Sequence, residues 1–128
     1  MNDQVNKEHQ VKNFLNEFKQ IVTSGRGLDI VPRAINMDAM IELGITKEIL
    51  RDTILALQVT NYSAGPEPDR DRPGEVWIFG TQIDETEIYI KLKIAEIKTL
   101  DIGTLRIAKC ISFHKCDEAL SYPLRKAS

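Results

Sequence analysis

The chain has 128 residues, of which 42% are hydrophobic and 28% charged, enough apolar material for one core in one domain spanning 1–128. Its net charge of −2 selects no class of partner, so nucleic-acid binding would have to come from local clusters of cations. No apolar run approaches the ~18 residues that cross a membrane, Met1–Gln10 lacks the apolar centre of a signal peptide, and Cys110 and Cys116 alone make no disulfide framework, so a reducing cytoplasm is the expected compartment.

Residues 1–10 are polar and are expected to fray. Val11, Phe14, Leu15, Phe18, Ile21 and Val22 then recur at helical spacing, which predicts an amphipathic helix ended by Ser24-Gly25. Leu28 to Arg33 reads as a short strand or an extended link, because Pro32 disfavours a central strand. Asn36 or Asp38 can cap a short helix through Met40, Ile41 and Leu43, with Gly44 at its left-handed end. Thr46 caps a further helix whose face is Ile49, Leu50, Thr53, Ile54 and Leu57.

Residues 61–74 hold three prolines and two glycines and no aliphatic Val, Ile or Leu, and are expected to be one long surface loop. Val76 to Phe79 reads as a strand that stops at Gly80, and Asp84-Glu85 as a turn. Strict alternation follows, with Ile88, Ile90, Leu92 and Ile94 on one face and Tyr89, Lys91 and Lys93 on the other, facing solvent. A last strand from about Leu105 to His114 places Ile107, Ile111 and Phe113 on one parity. Arg106, Cys110, Ser112 and His114 take the other, with Lys109 interrupting the apolar side. The order predicts an α+β two-layer fold, with N-terminal helices on the aliphatic face of a three- to four-stranded antiparallel sheet. The tail Asp117–Ser128 is expected to pack down through Leu120, Tyr122 and Leu124.

Cys110, His114 and Cys116 match no closed four-ligand metal pattern, so neither metal nor cofactor is expected. Cys110 reads instead as a small buried hydrophobe. No strained-turn serine nucleophile and no phosphate-binding loop occurs. What remains is a basic and aromatic sheet face. Tyr89 and Lys91 project from one strand, and His114 and Lys115 end its neighbour. Arg70 and Arg72 hang from the loop, and Lys93 adds a further phosphate contact. Such a surface suits single-stranded RNA, with rings stacking on bases and cations holding phosphates. A histidine can take the proton of a 2′-hydroxyl attacking the next phosphate, and a lysine can stabilise the added charge. The plain alternative is a solvated β-surface whose lysines discourage edge pairing.

Ile88-Tyr89-Ile90-Lys91-Leu92 and Cys110-Ile111-Ser112-Phe113-His114 resemble the paired strands of the bacterial MqsR family, the motility quorum-sensing regulator toxins. Trp77 after the loop, and the helices ending at Gly25, Gly44 and Leu57, follow the same order, so the resemblance covers about residues 10 to 114. It implies a RelE-like fold and a metal-independent endoribonuclease that cleaves messenger RNA as the toxin of a type II toxin–antitoxin system. It also implies a cognate antitoxin with a zinc-binding domain and a helix-turn-helix domain (MqsA-like). The family's active-site tyrosine falls on Tyr89 and its terminal basic residue on His114, with Lys91 completing the catalytic set. The family's lysine before the loop has no counterpart within Tyr62-Ser63-Ala64-Gly65, and its glutamine falls at Ile78, which leaves Arg70 or Arg72 as replacement cations. A reading from a different class is a catalytically inert RNA- or protein-binding module of the same fold.

Overall fold

The computed structural model describes residues 3–125. Helix α1 runs Asp3–Ile21 and buries Val11, Phe14, Leu15, Phe18 and Ile21, the stripe that the periodicity predicts. Of the segment expected to fray, residues 3–10 are instead helical, and residues 1 and 2 lie outside the described ones. Tertiary anchors hold it: Lys7 Nζ donates to the Gly65 carbonyl at 3.3 Å, and Gln4 Nε2 reaches the Pro123 carbonyl at 3.5 Å. The helix closes in a π-turn over Val22–Arg26, where Gly25 takes φ +99°, a conformation that favours glycine.

Strand β1 is Leu28–Ile30, helix α2 is Ala34–Leu43 and helix α3 is Lys47–Leu55. Gly44, at φ +67°, ends α2 as expected and donates its N–H to the Met40 and Ile41 carbonyls. Neither Asn36 nor Asp38 caps that helix, whose N-cap is Arg33 with no side-chain bond. Thr46 does cap α3, its Oγ1 accepting from the Ile49 N–H at 3.2 Å. Leu50, Ile54 and Leu57 are buried beneath α3.

Residues 61–74 are not one loop. Strand β2 occupies Tyr62–Pro68, and only residues 69–74 connect it to β3, Glu75–Ile83. Pro66 and Pro68 are tolerated because β2 lies at the sheet edge, where a missing N–H leaves no central ladder broken. Two register shifts interrupt its pairing with β3. Strand β3 continues through Gly80 rather than stopping there. Asp84 and Glu85, at φ +48° and +70°, make the two-residue turn whose twist suits a tight hairpin. β4 is Thr86–Thr99 and β5 is Gly103–Lys115.

The sheet has five strands in the order β1-β5-β4-β3-β2. It is mixed, since β1 runs parallel to β5 while the other pairs are antiparallel. The expectation of three to four antiparallel strands missed the edge strand β2 and the parallel sense of β1, whose segment reads from the sequence as a short strand or an extended link. The helices cover one face, as the α+β two-layer reading expects. There Phe14 stacks on Trp77 at 4.8 Å between centroids, with Phe79 at 6.1 Å. Tyr62 meets Trp77 and Phe79 edge-on. Ile88, Ile90, Leu92 and Phe113 are fully buried among them.

A β-bulge decides the parity of β5. Lys91 pairs with Ser112 but Leu92 pairs with Cys110, so Ile111 is the extra residue. Such an insertion shifts every side chain beyond it to the opposite face. Ala108, Cys110 and Phe113 therefore share the core side. Ile107, Lys109, Ser112 and His114 share the other, and the single parity read from the sequence is corrected at Arg106, Ile107 and Cys110, all of which lie before the bulge. Lys109 interrupts no apolar row; it sits on the open face and pairs with Asp29 at 3.3 Å.

Asn36 explains how the bulge is held. Its side chain is fully buried. Nδ2 donates to the carbonyls of Val31 and Ile111, at 3.0 and 2.9 Å, while Oδ1 accepts from the Phe113 N–H at 3.0 Å. One amide thus satisfies the main chain on both sides of the bulge, where the ladder itself cannot.

Candidate functional site

The face away from the helices is built by β4 and β5, each placing a residue of the pair. Tyr89 lies opposite His114, and Lys91 opposite Ser112. The Tyr89 and His114 rings stack at 5.3 Å between centroids and 22° between planes. His114 Nδ1 lies 2.9 Å from the Lys115 carbonyl oxygen. A carbonyl only accepts, so Nδ1 carries the proton and, in the neutral ring, Nε2 is left with its lone pair. That arrangement leaves Nε2 competent to receive a proton.

Burial, followed by the charge of Glu67, pushes the Tyr89 phenol above its ordinary pKa, while Arg33 and Arg70 pull the other way. Tyr89 is therefore a protonated phenol at neutral pH, able to donate a hydrogen bond as well as stack. Arg70, exposed on the 69–74 loop, is near enough for its charge to act on the Tyr89 phenol. Arg72 is exposed, and no ion pair involves it or Arg70 among the described residues.

Lys91 is half-buried and its side chain makes no hydrogen bond or ion pair among the described residues, so its charge is unspent. Lys93 is different. Only 4% of it is exposed, its Nζ donating to Asp69 Oδ2 at 2.6 Å and to the Pro73 carbonyl at 2.7 Å. The alternation does place it on this face, but the 69–74 loop folds over it, so the expected presentation to solvent fails. It pins a loop. Lys115 pairs with Ile88 on the helix side and borders Ala39, Glu42 and Leu43, so it does not join the Tyr89 face either.

Arg33 escaped the sequence reading. Its Nη1 donates to Ser112 Oγ at 2.8 Å and to the Ile111 carbonyl at 3.3 Å, which brings a guanidinium beside Tyr89 and Lys91. The only local hint was a cation directly after Pro32, a weak signal because the approach depends on β1 pairing with β5. Ile78, which pairs with Lys91, gives the middle of this face an apolar floor.

The C-terminal segment walls one side. Glu87 accepts from the Leu120 N–H at 3.1 Å and from the Tyr122 hydroxyl at 2.6 Å, and these bonds hold its carboxyl below the usual range. Gly80, opposite Tyr89, makes room, since a Cβ there would lie 2.3 Å from the Tyr122 hydroxyl and 2.6 Å from Leu120 Cδ1. Leu124 is buried in the core, so the tail packs down as expected through residues 117–125, residues 126–128 lying outside the described ones. Cys110 is fully buried and its thiol is pushed up to about 12, while burial and then Glu87 push Cys116 up to about 11. Both are protonated thiols at neutral pH, and neither is a ready nucleophile.

These observations define an α+β protein whose open sheet face carries a stacked aromatic–imidazole pair beside the unpaired Lys91 and the Arg33 guanidinium. Comparison with protein-family models, curated proteins and solved structures finds no match for the chain. No helix among the described residues is long and apolar enough to cross a membrane.

Proposed function

We propose that this chain is an endoribonuclease that cleaves single-stranded messenger RNA by 2′-hydroxyl attack, acting as the toxin of a type II toxin–antitoxin pair with a RelE-like architecture. The observation that carries the chemistry is the Tyr89–His114 stack with His114 Nδ1 committed to a backbone carbonyl. A base edge or sugar docked against that stack would meet a fixed imidazole with Nε2 available. The 2′-hydroxyl loses its proton to Nε2 and its oxygen bonds to phosphorus. The bond from phosphorus to the 5′-oxygen breaks, leaving a 2′,3′-cyclic phosphate; the departing oxygen takes a proton from solvent water, and the imidazolium returns its own to solvent. Lys91 and the remaining N–H groups of Arg33 offset the charge that accumulates on the phosphoryl oxygens. Arg70 steers the strand toward the face.

The test uses purified protein and a single-stranded RNA. Cleavage leaving cyclic-phosphate ends in the wild type, with loss in His114→Ala and in Tyr89→Phe, supports the reading. Binding without cleavage would replace it with the inert module. The toxin role rests on a separate outcome: expression should arrest bacterial growth, and a neighbouring reading frame with paired CxxC motifs and a helix-turn-helix should restore it. Growth without arrest sinks the toxin role alone.

A further inference from the structure

Strand β4 outruns its neighbour. The β3–β4 ladder ends at Trp77 opposite Leu92, whereas β4 pairs with β5 as far as Thr99 opposite Gly103. From Ile94 to Thr99 it therefore has a strand on one side only. The direction of its main-chain groups follows from one bond. The Cys116 N–H donates to the Glu87 carbonyl across to β5 at 3.0 Å. In an antiparallel strand the N–H and C=O of one residue point the same way and alternate with the next. Tyr89, Lys91, Ala95 and Ile97 thus also address β5, and Ile94, Glu96 and Lys98 turn theirs outward.

Proteins normally guard such edges, and this one guards the opposite edge of the same hairpin. Where β5 extends beyond β1, Arg26 Nη1 donates to the Arg106 carbonyl at 3.1 Å. On the β4 side, among the described residues, no side chain bonds to the main chain of Ile94, Glu96 or Lys98. An open cleft of about 600 Å³ lies beside them instead, bordered by Phe14, Trp77 and Glu75. The apolar tip is bare: Ile97 is 44% exposed, Leu100 104% and Ile102 69%.

The sequence Ile94-Ala95-Glu96-Ile97-Lys98-Thr99-Leu100 is its own antiparallel complement. Centred on Ile97, it sets Glu96 opposite Lys98 of a second copy twice over, Ala95 opposite Thr99, and Ile94 opposite Leu100. The outward main-chain groups of Glu96 and Lys98 then form the hydrogen-bonded pairs. Ile97 meets Ile97 at a non-hydrogen-bonded position, where side chains come closest, about 4.5 Å between Cα atoms. The two adjacent two-fold registers are disfavoured by charge: centring on Lys98 sets lysine against lysine, and centring on Glu96 sets together two carboxylates that each already pair with an Arg106 of their own chain at 2.6 Å.

We infer that the free β4 edge at Ala95–Thr99 is a homodimer interface, in which two copies pair antiparallel about a two-fold axis at Ile97. The contact is isologous, so it closes at two chains and does not propagate. It stands independently of the ribonuclease reading.

Sedimentation of the full chain over roughly 5 µM to 1 mM, the range in which small interfaces dissociate, tests it. The mass should rise from 14.5 kDa toward twice that value. Lys98→Glu and Glu96→Lys should each remain at 14.5 kDa, with wild-type circular dichroism. An equimolar mixture of the two should dimerise again, because each now offers the charge the other needs. A wild type that stays monomeric to 1 mM, or a Lys98→Glu variant that dimerises like wild type, overturns the interface. Failure of the mixture to recombine overturns the register.

Discussion

Tyr89 and His114 stand opposite each other on β4 and β5, their rings stacked at 5.3 Å and 22°. Each ring limits the motion of the other. If the pair performs proton transfer, His114→Ala should lower the RNA cleavage rate by roughly 10²- to 10⁴-fold, the usual contribution of a general base. Tyr89→Ala should weaken RNA binding by about 1–3 kcal/mol through lost stacking, whereas Tyr89→Phe should retain most binding. Single-turnover cleavage and filter binding separate the two effects.

Lys93 and Asp69 close the 69–74 loop onto the sheet at 2.6 Å, with side chains 5% and 14% exposed. Asp69→Ala strands a buried ammonium and should cost about 3–5 kcal/mol in urea unfolding. The hydrogen bond from Lys93 holds the Asp69 carboxyl below its ordinary range. A carboxyl depressed by folding adds stability that is complete above its unfolded value, near ~4, and is lost as pH falls through the folded one. Thermal melts of wild type should therefore fall more steeply with acidification below about pH 4 than melts of Asp69→Asn.

Gly80 leaves room for the C-terminal tail. Gly80→Ala would thrust a methyl to 2.3 Å from the Tyr122 hydroxyl, and overpacking of this kind costs about 1–3 kcal/mol. In Tyr122→Ala and Leu120→Ala together the obstruction is gone, so adding Gly80→Ala there should cost much less. A double-mutant cycle on denaturation midpoints reads that coupling. Equal costs in both backgrounds would mean that the tail does not cover Gly80.

Asn36 serves three main-chain groups around the bulge. Asn36→Leu keeps similar bulk but leaves the Phe113 N–H without a partner, which costs about 1–3 kcal/mol, while the Val31 and Ile111 carbonyls each lose one bond and keep the one they accept from Arg33. The expected result is a loss of about 1–3 kcal/mol, together with faster amide exchange at Phe113. A smaller loss with slow exchange would mean the bulge is held by β1 alone.

The sequence by itself determined whatever depends on neighbours a few residues away. Strict alternation over Ile88–Ile94 set the faces of β4, Thr46 announced the start of α3, and Gly44 and Gly25 announced the ends of α2 and α1. It also put Tyr89, Lys91 and His114 on one face, because each lies in an uninterrupted run of strand. What it could not reveal came from pairing across the chain. The bulge at Ile111 reversed the parity of Cys110, since an inserted residue is visible only against the partner strand. Pro66 and Pro68 resembled a loop until the edge position of β2 made their missing N–H groups harmless. Lys93 has the same local pattern as Lys91, yet one is buried against Asp69 and the other is open. Periodicity fixes the side of the sheet on which a lysine stands, but which loop later folds over it is decided by contacts between segments distant in the chain.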